Sequence, residues 1–197
     1  MPAPLTIFVY GNANLIPETR RSWPEFLTAV LSRRNVPLTG PVVNRGARVQ
    51  TFPDVARAAL ASPDRVQGAV VLVALSYQDG KSDRVAPAEA ATFAEQVVDG
   101  LKARGAERVI IVGPSATHLT PGRPVVPGYG SYARWLKRTD KAIREKVGNA
   151  ALYVSLGDMP EVLNGDASAP LTSDGVRLTA RGFNWIAERV ADRLLEG

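Results

Sequence analysis

Residues 69–75 read Ala-Val-Val-Leu-Val-Ala-Leu, seven apolar side chains without a break. Successive side chains of a strand point to opposite faces, so a strand of this kind is apolar on both. That is the pattern of a strand in a parallel sheet covered by helices on each side. Shorter apolar runs recur along the chain: Leu5 to Tyr10, stopping at Gly11, then Pro41 to Asn44, Val109 to Val112 and Leu152 to Leu156. Between them lie helical patterns. From about Arg20 to Arg34, the residues Trp23, Phe26, Leu27, Val30 and Leu31 fall at helical spacing. Phe52 to Ala61 reads as a helix with Pro53 in its first turn. Pro87 to Arg104 is the longest helix, with Gly105 suited to its C-terminal cap. Tyr132 to about Lys146 and Thr179 to Leu195 complete the set. Five buried strands alternating with helices predict a three-layer α/β/α arrangement around a parallel, doubly wound sheet.

The length of 197 residues suits a single domain over 1–197, with no repeat or linker to divide it. Hydrophobic residues at 45% and charged residues at 22% are ordinary for a globular chain. With no cysteine, disulfides and thiolate metal sites are excluded. One histidine and no carboxylates at ligand spacing leave no metal site to expect. Neither a dinucleotide nor a P-loop fingerprint occurs, so no cofactor is expected. No apolar stretch approaches a membrane span, and the start, MPAPLTIFVYGN, lacks the basic region of a secretion signal; a cytoplasmic protein with no membrane partner is expected. The formal net charge of +5 raises nucleic acid as a partner. The basic residues read as scattered and carry no interleaved aromatics, so solvated helix faces are expected and nucleic acid is not.

Ligands of such sheets bind beyond the carboxyl ends of the strands. The first strand there runs into Gly11-Asn12-Ala13-Asn14-Leu15, and the second ends in Asn44-Arg45-Gly46. The third ends in Ser76-Tyr77-Gln78-Asp79, and Asp174-Gly175-Val176-Arg177 precedes the last helix. Taken in order across the whole chain, these blocks resemble those of the SGNH (GDSL-type) hydrolases, whose sheet is flavodoxin-like. The resemblance implies a first-block Ser nucleophile, a C-terminal His base and an Asp three residues before it that orients the imidazole. It also implies an oxyanion hole from the Ser N–H, the second-block Gly and a third-block Asn.

Residue by residue, the chain departs from that pattern where the chemistry is done. Ala13 stands at the nucleophile position and has no heteroatom. Arg177 stands at the base position and stays protonated at any working pH. Asn12 replaces the Asp before the nucleophile, and Gln78 replaces the oxyanion Asn with an amide one methylene further out. Gly46 and Asp174 match the pattern. Without nucleophile and base, only positioning and oxyanion effects would remain, a residual ~10³-fold over water.

Several side chains then compete for a role. Arg177 offers a planar fork of donors to a carboxylate, phosphate or sulfate, or it pairs with Asp174 as a structural remnant. Asn12 and Gln78 would orient a ligand around the same point. Tyr77 either presents its phenol or covers the sheet end, and Asp79 is either an alternative base or a turn cap. His118 is the only histidine and lies in a Gly- and Pro-rich loop expected from Gly113 to Gly130, whose Gly128, Tyr129 and Gly130 suggest a flexible rim. Three functions are open. One is a binding protein for a small anionic molecule in the old acyl pocket. Another is a repurposed non-hydrolytic enzyme, a cyclase, lyase or isomerase. The last is a residual esterase or acyltransferase with a displaced nucleophile, Ser76 or Ser115.

Overall fold

The structure is a computed structural model, and it describes residues 3–11, 22–47, 51–80, 84–116, 129–173 and 178–196. Five strands form one parallel sheet in the order β2-β1-β3-β4-β5. They are β1 (Ile7–Tyr10), β2 (Val43–Asn44), β3 (Val70–Ala74), β4 (Arg108–Ser115) and β5 (Leu152–Leu156). The helices are α1 (Trp23–Arg33), α2 (Phe52–Ala61), α3 (Tyr77–Gly80), α4 (Pro87–Ala103), α5 (Tyr129–Val147) and α6 (Ala180–Glu196).

The apolar run over β3 is explained by what lies on each side. Val70, Leu72 and Ala74 pack with Ile7, Val9, Ile110 and Val112 against α1 and α6. Val71 and Val73 pack with Phe8, Tyr10, Val109 and Ile111 against α2, α4 and α5. Both alternating sets are buried, so neither phase of the strand can be polar. Gly105 takes φ +85°, and Ala106 N–H reaches the Leu101 carbonyl (3.0 Å) while Gly105 N–H reaches that of Lys102 (2.8 Å). This is the left-handed glycine cap expected at the end of α4.

Three expectations are corrected. Both ends of the loop expected over Gly113–Gly130 are regular structure: β4 continues through Ser115, and Tyr129 and Gly130 belong to α5, while Gly128 lies outside the described residues. Gly113 lies within β4, and a side chain there would strike the Tyr153 hydroxyl. A short helix, α3, stands where only a strand end was expected. Finally, the basic residues are not evenly scattered, since Arg134, Lys137, Arg138, Lys141 and Arg144 are all exposed on α5. Among the described residues, no helix is long and apolar enough to cross a membrane.

Orientation of the helices defines the ligand end. Arg108, at the start of β4, donates to the Leu194 carbonyl near the end of α6 (2.9 Å). The first turn of α6 is therefore at the other, carboxyl end of the sheet, where the loops after the strands gather.

Candidate functional site at the strand ends

The first and second blocks are joined by backbone hydrogen bonds. Arg45 N–H donates to the Val9 carbonyl (2.7 Å) and Ala47 N–H to that of Gly11 (3.0 Å). Gly46, between them, donates its N–H to Oδ1 of Asn44 (2.9 Å), and Asn44 Nδ2 donates to Oγ of Ser22 (2.9 Å) at the cap of α1. The Gly46 N–H that the family resemblance assigns to the oxyanion hole is thus already engaged.

Arg45 is itself anchored. Its guanidinium forks onto Asp64 through Nε (2.9 Å) and Nη2 (2.6 Å), and Tyr10 Oη and Ser62 Oγ donate to the same carboxylate at 2.7 and 2.9 Å. Arg45 holds the Asp64 carboxyl well below the usual carboxylate range, with the hydroxyl donors of Tyr10 and Ser62 adding to the effect. Burial pushes the Tyr10 phenol up to about 12. Arg104 fixes the segment under Asp64 by donating to the carbonyls of Ala59, Leu60, Ser62 and Asp64 at 2.7–3.0 Å. This cluster anchors Arg45, the residue next to Gly46, to the segment after α2.

The third block is a capping box closed on itself. Ser76 caps α3: its Oγ accepts from Gln78 N–H (3.2 Å), and Asp79 Oδ2 accepts from Ser76 N–H (2.7 Å) and Oγ–H (3.3 Å). The other oxygen, Oδ1, accepts from Phe52 N–H (2.5 Å), the first amide of α2. Asp79 is 1% exposed, and burial raises its pKa to about 6 against the pull of those donors. Of the two roles open to Asp79, the structure supports the cap. Ser76 is occupied in the same box, which weighs against it as a displaced nucleophile.

Tyr77 lays its ring against Tyr132 (4.7 Å between centroids), and Tyr132 stacks on Trp135 (5.7 Å). Trp135 Nε1 donates to the Val85 carbonyl (2.6 Å), while Val85 N–H donates to that of Asp79 (3.0 Å). Gly80 has no side chain because the Trp135 ring occupies that space. The aromatic stack therefore holds the third block against α5. Gln78 is half-buried, and its side-chain amide has no hydrogen-bond partner among the described residues.

Five sequence candidates, Asn12, Ala13, His118, Asp174 and Arg177, lie outside the described residues. The chain on either side of Asp174 and Arg177 is held. Thr172 bridges Leu178 in antiparallel fashion, Thr179 N–H donates to the Leu171 carbonyl (2.9 Å), and Thr179 Oγ1 to that of Pro170 (2.8 Å). Gly182 permits this contact, because a side chain there would meet the Leu171 carbonyl. Among the described residues, no group of His, Cys, Asp and Glu could hold a metal ion.

No protein-family model matches the chain, and no curated protein matches it. Solved structures do. The chain is similar to Est24, a carbohydrate acetylesterase from Sinorhizobium meliloti, at 13% identity over 98% of this chain and 99% of that one, with a TM-score of 0.69. LAE5, an alpha/beta hydrolase enzyme from the metagenome of Lake Arreo, Spain, aligns at 17% identity over 98% and 96% of the two chains, TM-score 0.73. The lipase/acylhydrolase from Enterococcus faecalis aligns at 13% identity over 96% and 95%, TM-score 0.68. At such identities the likeness is one of fold: this chain has the α/β/α architecture of the SGNH-type hydrolases.

Proposed function

We propose that this protein binds a small anionic molecule in the strand-end cleft and does not hydrolyse esters by a serine mechanism. The reading rests on the sequence resemblance, which sets Ala13 and Arg177 against the nucleophile and base positions. Either change alone would disable the acyl-enzyme route, and together they leave neither an attacking oxygen nor a proton acceptor. Two features of the described residues agree with this. Gly46 N–H is taken up by Asn44, and both oxygens of Asp79 are committed to hydrogen-bond donors. Neither stands ready as an oxyanion donor or a base.

An arginine at the former base position suits a carboxylate, phosphate or sulfate, which it grips with two parallel charge-assisted hydrogen bonds. The unengaged amide of Gln78, with Asn12, would orient the neutral part of the ligand. The acyl-ester substrates named for the structural neighbours do not carry over, since their chemistry needs the missing pair. The test is to identify small molecules carried through native purification by mass spectrometry, then measure their affinity for wild type and Arg177→Ala. Contact with the anion predicts a loss of about 10- to 150-fold, with Arg177→Lys recovering part of it. Unchanged affinity with a lowered melting temperature would mean that Arg177 only pairs with Asp174, and the anion reading would fall.

A further inference from the structure

Asp79 is a junction as well as a cap. Its carboxylate accepts from Ser76 at the end of β3 and from Phe52 at the start of α2. Its backbone carbonyl accepts from Val85 N–H (3.0 Å), just ahead of α4, and the Val85 carbonyl accepts from the Trp135 indole on α5 (2.6 Å). One buried residue thus ties the third block to α2, α4 and α5. Gln78 is carried by this junction: its N–H rests on the Ser76 hydroxyl (3.2 Å), and that hydroxyl donates to Asp79 Oδ2 (3.3 Å).

Buried charges are normally paired, yet at 1% exposure the Asp79 carboxylate has no cation among the groups that act on it. From α2, Asp54 faces it with the same charge, and Asp54 is already held by Arg57 (3.0 Å) and the Thr51 hydroxyl (2.7 Å). From α5, Tyr132 faces it with a phenol that burial keeps neutral and that donates to the Ser115 carbonyl (2.8 Å). Tyr77, on α3 itself, lies against Tyr132, and Val85 brings no charge from the α4 side.

Two backbone N–H groups and one long hydroxyl bond are what the ionised form has in place of water. The neutral form has a proton acceptor at hand. A proton on Oδ2 can be donated to Ser76 Oγ, reversing that bond, while Oδ1 keeps the Phe52 amide.

We propose that Asp79 is a pH-sensitive latch on the strand-end cleft: protonated, it holds residues 76–80 closed, and ionised, it favours their local opening and loosens Gln78. The direction follows from solvation. Closed and ionised, the carboxylate is desolvated without a counter-ion; opened, it is hydrated, so a rise in pH shifts the balance toward the open form. The carboxyl pKa, raised to about 6 by burial, sets the range over which the latch works. The latch rests on the junction and not on the identity of any ligand, so it stands or falls separately from the anion reading.

The test is native-state amide exchange on the isotope-labelled full chain between pH 5 and pH 8, read by NMR and corrected for the intrinsic pH dependence of exchange. Ser76, Gln78 and Phe52 amides should be less protected than Leu72 of β3 at every pH. They should lose protection together by about tenfold over this range, the size set by a carboxyl pKa of 3.8 when open and about 6 when closed. In Asp79→Asn the pH dependence should vanish. The wild type also gives a readout that needs no variant, since the Asp79 side-chain carbonyl resonance should titrate with a midpoint near 6. A midpoint at the ordinary Asp value, protection that ignores pH, a pH dependence that survives in Asp79→Asn, or protection equal to that of Leu72 would each overturn the proposal.

Discussion

The Asp79 carboxylate accepts the Phe52 amide at 2.5 Å, tying the end of β3 to the first turn of α2 across 27 positions of sequence. This one bond joins the segment carrying Gln78 to the helix that follows the second block. It makes the geometry of the candidate cleft depend on a buried, titratable group.

Asp79 therefore predicts a specific pH dependence. Its folded-state pKa, about 6, lies above the 3.8 of an ordinary Asp carboxyl, so the native state binds the proton more tightly than the unfolded chain does. Its contribution is fully present below 3.8 and is lost as pH rises through about 6, on the order of 3 kcal/mol in total. Asp79→Asn cannot titrate, and it turns an N–H toward a backbone donor, costing about 1–3 kcal/mol. The stability gap between wild type and Asp79→Asn should be widest near pH 4 and narrow toward pH 7, measured by urea unfolding. A gap independent of pH would show that Asp79 does not titrate in this range.

Arg104 predicts a purely structural phenotype. It donates to four carbonyls between Ala59 and Asp64, acting as a cap for the end of α2. Arg104→Ala should lower stability by about 2–4 kcal/mol, and Arg104→Lys should recover little because one ammonium cannot span the four acceptors. Equal melting temperatures for wild type and Arg104→Ala would refute the assignment.

Gly182→Ala should be disruptive in proportion to how tightly the turn before α6 is packed. The added carbon would press on the Leu171 carbonyl, a backbone atom that cannot rotate away, and about 2 kcal/mol or more should be lost. Gly40→Ala meets nothing within 4 Å and serves as the neutral control. Differential scanning fluorimetry of both variants distinguishes local crowding from a general intolerance of change.

Much of the fold could be read directly because both phases of its strands are apolar. Val70 to Ala74 could only be a strand covered on both sides, and Gly105 marked the end of α4 through its positive φ. The start of α5 was hidden because Pro127, Gly128 and Gly130 read as loop chemistry, although Gly130 meets no steric demand and is helical. A four-residue helix such as α3 shows no periodicity, yet the Ser76–Asp79 spacing is a capping-box signature that could have revealed it. The link from Asn44 to Gly46 could not be foreseen, since it depends on which way a short amide turns. The grouping of basic residues on α5 is also legible in the sequence, since Arg134, Lys137, Lys141 and Arg144 recur at helical spacing.

The central proposal is that the acyl-enzyme chemistry of the SGNH-type hydrolases is absent from this chain, and one experiment addresses it most directly. Purified protein is incubated with p-nitrophenyl acetate and, in parallel, with a fluorophosphonate, and the intact mass is then recorded. If Ala13 and Arg177 stand at the nucleophile and base positions, as proposed, turnover should not exceed background, and the mass should remain that of the unmodified chain. Stoichiometric addition of the phosphonyl group to any serine, accompanied by ester turnover, would contradict the account and restore the chain to the serine hydrolases.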